Sequence, residues 1–436
     1  MNSILRLGPA GALLMMYFIT WFPAKGAWQV LQYGLPILLL LLSIPYRRIT
    51  IYGKIFILVC IFFFIGSTSV FYSDTGFLNY ILSILTYSGL FVFAIQLDIS
   101  KIEYKDFICW IAYLSILEFV VGFTQFFLAN GGINFSAADS GDSFKGTVFA
   151  ANSHLFSIKS LFAFVFLIYQ KEKTPTIYLG IFFSFISAVY SSFLMGLLLI
   201  LLVLITVEIW NLRGEKKIRV FVYLLLVTVF VMVFWFTQSD NVRIISIAFS
   251  QIIQMDFSDA LRFQKILVFY ESIKDVLFSD FQTFLTGTGI GRFSNRAAMI
   301  LSGGYLDVGT ASIVPISRSE LTYEYIYLNW NPDIWSKFGG SVMGLPTSSL
   351  QAILIESGLL GSMVFIGLFL TIKRKITGNN MLIQRGQKAL LYSLLIICIS
   401  DLWLEYPSLI VQIAIFLSFN VTSKNKSENS SSSQLL

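Results

Sequence analysis

The sequence contains few charges, three cysteines and one histidine. Charged residues make up 12% of its 436 residues, against about 25% in soluble globular domains, and hydrophobic residues make up 56%. This composition excludes a soluble globular protein. Cys60, Cys109 and Cys398 lie in or beside apolar stretches, so their odd number indicates no disulfide framework.

Long apolar runs fill most of the chain. Because a bilayer core about 30 Å thick requires about twenty apolar residues in a helix, windows of that length predict an all-α, polytopic integral membrane protein with about twelve transmembrane helices. Two pairs of spans are divided only at Ser191-Ser192 and near Glu405. No internal repeat is visible, which disfavours transporter folds built from duplicated halves. The predicted spans lie near residues 7–24, 28–44, 55–72, 77–97, 107–129, 152–169, 175–190, 193–210, 218–237, 346–371, 387–403 and 405–421.

The positions of Lys and Arg predict the orientation. With the N-terminus in the cytoplasm, most of the 30 Lys and Arg residues fall in cytoplasmic segments, as the positive-inside rule requires. The basic residues sit at separated helix ends, so we expect no nucleic acid partner. The chain then divides into transmembrane helices 1–9 in residues 1–237, a large loop domain outside the cytoplasm in residues 238–345, transmembrane helices 10–12 in residues 346–421 and a disordered cytoplasmic tail in residues 422–436.

The large loop contains an amphipathic helix and a glycine run. After Arg262, apolar residues recur at helical spacing, which leaves four charged residues free to face water or a ligand: Arg262, Lys265, Glu271 and Lys274. The run Gly287-x-Gly289-x-Gly291 lacks the preceding strand of a dinucleotide fingerprint. It indicates either a tight turn between helices or backbone N–H groups that face a phosphate. The apolar positions of the helix are Phe263, Ile266, Leu267, Tyr270, Ile273 and Leu277.

Four polar residues fall within or at the ends of predicted spans. Glu118 lies near the middle of its span, where a lone carboxylate is costly in lipid, so it should face protein or water. Lys159 can snorkel outward or pair with an acid on another helix. Glu356 is either an interhelical anchor or a site carboxylate. His154, at the outer end of its span, is either an interfacial residue or a proton-transfer group.

We expect neither a metal nor a nucleotide cofactor. Asp139 and Asp142 lie in a Ser/Gly-rich loop without a cluster of His or Cys, which is more typical of a solvated loop than of a metal site. Nucleotides and nucleotide sugars are made in the cytoplasm, and the large loop is predicted to lie outside it.

The cations and aromatic residues of the large loop suit a sugar attached to a phosphate-bearing lipid. Arginine binds phosphate bidentately, and flat aromatic faces pack against sugar rings. Solvated loop charge and an interfacial aromatic belt are the simpler explanations. The residues concerned are Arg243, Arg262, Lys265, Lys274, Arg292, Arg296, Arg318 and Lys337, with Tyr323, Tyr325, Tyr327, Trp330 and Trp335.

Four motifs in order resemble the O-antigen polymerase and ligase superfamily over residues 140–371. They are Lys145-Gly-Thr with Asn152, then Tyr190-Ser-Ser, then Arg262 with the run from Leu285 to Phe293, then Pro346 with Glu356-Ser-Gly-Leu-Leu-Gly. The resemblance implies a bacterial inner-membrane protein with one large periplasmic loop. It further implies the joining of glycans carried on undecaprenyl pyrophosphate, without a metal or a nucleotide.

The resemblance also implies site residues. Arg262 matches the loop arginine assigned to pyrophosphate, and a carboxylate would deprotonate the acceptor hydroxyl. The implied set comprises Arg262, Arg292, Arg318 and Lys145 for pyrophosphate, Tyr323, Tyr325 and Trp330 for sugar, Glu320, Glu324 and Asp333 as candidate catalytic carboxylates, and His154 and Glu356 as accessory residues.

A departure from the family pattern favours a polymerase of lipid-linked oligosaccharide repeat units. Ligases of the family commonly carry a histidine just after the position of Pro346, where this chain has Ser348 and Ser349. The alternatives are a ligase that transfers the glycan to lipid A core, and a flippase or permease for the lipid-linked oligosaccharide. The expected partners are undecaprenyl-pyrophosphate-linked oligosaccharides, membrane lipid and a chain-length regulator.

Overall fold

The computed structural model describes residues 33–38, 41, 53–71, 76–94, 104–130, 143–147, 153–171, 173–191, 194–209, 264–302, 318–329, 346–376 and 380–418. The structure is mostly helical (84%), and no strand occurs in these ranges. The all-α class is therefore confirmed for the described part of the chain. The spans predicted at 7–24 and 218–237 lie outside it, as do Arg262, Trp330 and Asp333.

The described helices follow the apolar runs of the sequence. Three helical stretches are long and apolar enough to cross a bilayer, Phe77–Ala94, Asp106–Ala129 and Ser349–Lys375, which is consistent with a membrane protein. The count of twelve spans stays a prediction. The labelled helices are α1 Gly53–Gly66, α2 Gly76–Thr86 with the 3-10 stretch Tyr87–Ala94, α3 Tyr104–Asn130, α4 Ser153–Ile168, α5 Pro175–Tyr190, α6 Leu194–Ile209, α7 Gln264–Glu271 with the π-helical turn Ser272–Leu277, α8 Phe281–Thr286, α9 Arg296–Leu301, α10 Ser349–Lys375, α11 Met381–Ile397 and α12 Pro407–Ser418.

Helices α1 to α6 and α10 to α12 surround one large apolar core. Helix α3 packs against α5, α10 against α1, and α11 against α6. Aromatic rings fill much of the space between them, as where Phe166 of α4 stacks on Phe416 of α12 with ring centroids 4.2 Å apart. Exposed apolar side chains such as Phe64 and Leu128 remain on the outside, as expected where lipid replaces water.

The segment after Gln264 forms a smaller core of its own. Val268, Phe293, Met299 and Ile326 are fully buried there together with Ile355 of α10. Ile326 belongs to a second π-helical turn, Thr322–Tyr327. Because Ile355 is shared with the transmembrane candidate α10, this segment packs directly on the bundle.

The prediction of which residues form the apolar face of the helix after Arg262 is partly wrong. Val268 and Val276 are buried, whereas Tyr270 is 63% exposed. The chain changes to a π-helical turn at Ser272–Leu277. A π turn holds more residues than an α turn, so a pattern with a period of 3.6 residues does not continue through it.

Side-chain caps begin the two short helices of this segment. The Thr283 amide donates to Asp280 at 2.8 Å, and this hydrogen bond to the ionised form holds the pKa of the Asp280 carboxyl below its usual value. The Ala298 amide donates to Asn295 Oδ1 at 2.8 Å and starts α9. Asp and Asn are preferred at this position because their oxygens accept from unpaired helix amides.

Helix α10 is interrupted at Gly358. This residue has φ 61° and ψ −162°, outside the helical region. The break lets the carbonyl groups of Ile355 and Glu356 accept from the amides of Thr288 and Gly289 at 3.0 Å and 2.9 Å. The segment between α8 and α9 therefore completes hydrogen bonds that a continuous helix would have made within itself.

Gly358→Ala should destabilise the fold, whereas Gly367→Ala on the same helix should not. A β-carbon at Gly358 would clash with the backbone of Gly287 and lie 2.7 Å from Leu285, and its backbone conformation costs a side-chain-bearing residue about 1–3 kcal/mol. Gly367 has no atom within 4 Å of a built β-carbon, so alanine there should be neutral or stabilise by up to about 1 kcal/mol. Thermal unfolding of the detergent-solubilised variants measures both effects. Similar unfolding temperatures for the two variants would contradict the requirement for glycine at the break of α10.

Candidate functional site

The segment Gly287–Asn295, here called the glycine loop, joins α8 to α9. Gly287, Gly289 and Gly291 have φ of 75°, 93° and 93°, a region that residues with a β-carbon rarely adopt. Space also requires glycine, since a β-carbon on Gly291 would lie 2.7 Å from Ser83 Oγ. The loop is therefore a turn between helices that fits closely against the bundle.

The glycine loop surrounds the carboxylate of Glu356. The amides of Phe293, Ser294 and Asn295 donate to Oε1 at 3.0, 2.9 and 3.0 Å, and the Gly291 amide donates to Oε2 at 3.1 Å. Glu356 is only 1% exposed. The loop amides face this carboxylate instead of a phosphate, and Glu356 anchors α10 to the loop.

Helices α1 and α2 also bind the loop. Asn79 of α2 donates through Nδ2 to the Gly291 carbonyl at 2.7 Å, and Asn295 Nδ2 donates to Ser83 Oγ at 3.0 Å. The Ile290 amide donates to the carbonyl of Gly66, the last residue of α1, at 3.1 Å. The loop is thus bonded to α1, α2 and α10.

A buried Arg and Glu lie next to this anchor. The Arg296 amide donates to Glu405 Oε2 at 2.5 Å, and the guanidinium lies 3.8 Å from the centroid of the Tyr406 ring. Arg296 also donates to the Tyr33 hydroxyl at 3.3 Å. The sequence interpretation counted Arg296 only as a loop cation and Glu405 only as a divider between spans. A charge between two apolar helices was the signal that could have identified Glu405.

Helix α7 is tied to the connection between α11 and α12. The Lys265 ammonium donates to the Ser400 carbonyl. Burial lowers the pKa of Lys265, and the nearby Asp401 opposes that shift. The Asp401 carbonyl also accepts from the Ser349 amide at 3.0 Å. The neighbouring residues Ser400 and Asp401 therefore connect the start of α7, which follows Arg262 in the sequence, with the start of α10.

The implied cations Arg292 and Arg318 have different surroundings. Arg292 is 9% exposed and donates to the Thr288 carbonyl at 3.3 Å. Arg318 is exposed, and its guanidinium lies 4.8 Å and 5.1 Å from the ring centroids of Tyr323 and Tyr327. Such distances are typical of cation–π contacts.

Three of the implied carboxylates and aromatic residues, Glu320, Tyr323 and Glu324, lie in or just before the π-helical turn Thr322–Tyr327. Glu320 and Glu324 are exposed, and Tyr323 is 46% exposed. Thr322 ties this turn to the glycine loop, because its hydroxyl donates to the Phe293 carbonyl at 2.8 Å.

Other implied residues are less exposed or stand apart. Tyr325 is partly buried against Phe293, with ring centroids 6.0 Å apart. His154 is half-buried near the start of α4. Within the described ranges, no three His, Cys, Asp or Glu side chains are grouped so that they could hold a metal ion.

Lys145 lies in a turn attached to α3. The Thr147 amide donates to Glu118 Oε2 at 2.6 Å, and the Lys145 amide donates to Gln125 Oε1 at 3.1 Å. Glu118 thus faces protein. Lys159 of α4 is fully buried and interacts electrostatically with Glu118. Lys159 therefore does not snorkel outward, and the acid on another helix that interacts with it is Glu118 of α3.

Glu356→Gln should destabilise the protein, because the glutamine amide presents donors to backbone groups that are also donors. Each buried N–H group left unpaired costs about 1–3 kcal/mol. Glu324→Gln makes the same chemical change at an exposed position and should stay within about 0.5 kcal/mol of the parent protein. Thermal unfolding in detergent compares the two variants. Equal unfolding temperatures would show that the loop does not depend on Glu356.

Comparison with known proteins assigns no family. No family model matches the sequence, and no curated protein matches it significantly. The functional conclusion therefore rests on the motifs of the chain and on the geometry described above.

Proposed function

We propose that the protein is a membrane glycosyltransferase that polymerises oligosaccharide repeat units carried on undecaprenyl pyrophosphate. One observation carries this proposal. The two most specific motifs of the superfamily resemblance, the glycine run and Glu356-Ser-Gly-Leu-Leu-Gly, are up to 65 residues apart and meet in one unit, where four loop amides bind the Glu356 carboxylate. Motifs that act together are expected to be in contact.

In the proposed reaction, a hydroxyl of the acceptor repeat unit attacks the anomeric carbon of the donor glycan. The bond from that carbon to undecaprenyl pyrophosphate breaks, and the hydroxyl proton passes to a carboxylate. Arg262, Arg292, Arg318 and Lys145 are the cations proposed to neutralise the departing pyrophosphate. One well-placed donor contributes about 3–4 kcal/mol to such a step.

The exposed turn after Arg318 supports binding of a sugar phosphate. Arg318, Glu320, Tyr323 and Glu324 are all exposed, so a cation, two carboxylates and an aromatic side chain are accessible within seven positions of the chain. Glu320 and Glu324 are our candidates for the base, and Asp333 is the third.

The start of α10 supports a polymerase over a ligase. Ser348 Oγ accepts from the Gln351 amide at 3.2 Å and caps the helix, and Ser349 Oγ donates to the Asp401 carbonyl at 3.1 Å. Both serines are buried. The positions at which ligases commonly carry a histidine therefore serve the structure in this chain.

The proposal requires the turn that carries Glu324 to lie outside the cytoplasm. In a background without the three native cysteines, Glu324→Cys should react with an impermeant thiol reagent on intact spheroplasts, because position 324 is exposed. Arg374→Cys, at an exposed position in the last turn of α10, should react only after permeabilisation. The reverse pattern would end the proposal, since it would place the turn on the side of the nucleotide pool.

Arg262→Ala should abolish long polymer while the amount of protein in the membrane stays normal, because the cation assigned to the pyrophosphate is lost. Arg374→Ala is the matched control and should keep normal chain lengths. A lipopolysaccharide gel with an immunoblot for the protein measures both. Long chains in the Arg262→Ala strain would remove this residue from the mechanism.

The same gel separates the polymerase from the ligase in a deletion strain. Loss of a polymerase leaves single repeat units on the acceptor, whereas loss of a ligase leaves no glycan there. The second pattern would overturn the proposed function.

A further inference from the structure

The turn Phe144–Thr147, here called the Lys145 turn, is fixed to one face of α3 by two side chains. Glu118 and Gln125 are seven residues apart on α3, and residues at that spacing lie on the same side of a helix. Both bind the Lys145 turn through its backbone. The groups that they hold are the backbone of Lys145 itself and of the two residues that follow it.

Gln125 binds one backbone group on each side of the peptide bond between Lys145 and Gly146. Its Oε1 accepts from the Lys145 amide at 3.1 Å, and its Nε2 donates to the Gly146 carbonyl at 2.8 Å. A side-chain amide that donates and accepts in this way fixes the position and the direction of the backbone together.

Glu118 holds the end of the turn. Its Oε2 accepts from the Thr147 amide at 2.6 Å, and its Oε1 accepts from the Thr147 hydroxyl. The carboxylate is 1% exposed and interacts electrostatically with the buried Lys159. Because hydrogen bonds and a counter-charge both stabilise a buried charge, this arrangement keeps Glu118 bound to the turn.

The fit at Gly146 leaves little freedom. Gly146 has φ 56°, and a β-carbon there would clash with Glu118 Oε2 and lie 2.8 Å from Phe156 Cζ. Phe144 is fully buried and stacks on Tyr190 at 5.6 Å between centroids. The backbone on each side of Lys145 is therefore immobilised by packing as well as by hydrogen bonds.

The Lys145 side chain is half-buried. In the part of the chain that the structure describes, no carboxylate forms an ion pair with its ammonium group. A fixed backbone that presents a cation with no carboxylate partner among the described residues is suited to an anion that comes from outside the protein.

We infer that Glu118 and Gln125 are positioning residues that hold Lys145 to bind the pyrophosphate of the lipid-linked substrate. This inference rests on the proposed function. Neither residue touches the substrate: each acts through the backbone of the Lys145 turn.

Binding of undecaprenyl pyrophosphate to the full-length protein in nanodiscs tests the inference. Lys145→Gln should weaken binding about tenfold, the effect of losing one charged hydrogen bond. Gln125→Met, which is close in size and leaves Glu118 and Lys159 intact, should weaken it to a similar degree. Because both changes remove the same contact, the double variant Gln125→Met/Lys145→Gln should bind no more weakly than Lys145→Gln alone.

Two further variants separate positioning from general damage. Thr124→Val, at an exposed position beside Gln125, should bind like the parent protein. Glu118→Gln combined with Lys159→Met removes both buried charges together and should also weaken binding. When Lys145→Gln is added to this pair, the triple variant should bind no more weakly than Lys145→Gln alone. If the losses of affinity multiply in the double variant with Gln125→Met or in the triple variant, the residues have independent structural roles and the inference is overturned.

The outcomes distinguish this inference from the function on which it rests. If Lys145→Gln weakens binding but Gln125→Met does not, the positioning role fails and the proposed function stands. If the parent protein does not bind undecaprenyl pyrophosphate, both fail.

Discussion

Four backbone amides that converge on the Glu356 carboxylate are the contact on which the rest of this structure depends. A buried carboxylate is costly unless it is fully hydrogen-bonded, and loop amides are equally costly if left unpaired. Each satisfies the other. The arrangement requires the break of α10 at Gly358 and the left-handed glycines of the loop, and it brings α9 and the small core into place against the bundle.

Two other buried carboxylates also join distant segments. Glu405 Oε2 accepts from the Arg296 amide, and Glu118 accepts from Thr147 and interacts electrostatically with Lys159. In a chain with so few charges, these groups are used to join segments that lie far apart in the sequence. Other cations and carboxylates, Lys145 among them, remain more accessible.

Much of the local structure could be predicted because it depends on neighbouring residues. A helix ends at Tyr190 and the next begins at Leu194, on either side of Ser191-Ser192, and a 3-10 turn at Trp403–Glu405 separates the last two helices. The interhelical anchor was one of two alternatives for Glu356, and it came from a span whose Gly and Ser residues permit close helix packing. The exposed Tyr270 and the two π-helical turns were not predicted, since helical periodicity assumes a constant number of residues per turn.

The sequence by itself determined that the chain is helical and apolar enough for a membrane, because composition and the length of apolar runs act residue by residue. It also contained the motifs that suggest the chemistry. Only the tertiary structure decided that the amides of the glycine loop face Glu356, that Arg296 meets Glu405, and that Glu118 and Gln125 hold the Lys145 turn. Each of these contacts joins residues that are distant in the chain, and packing, rather than any local preference, selects the partner.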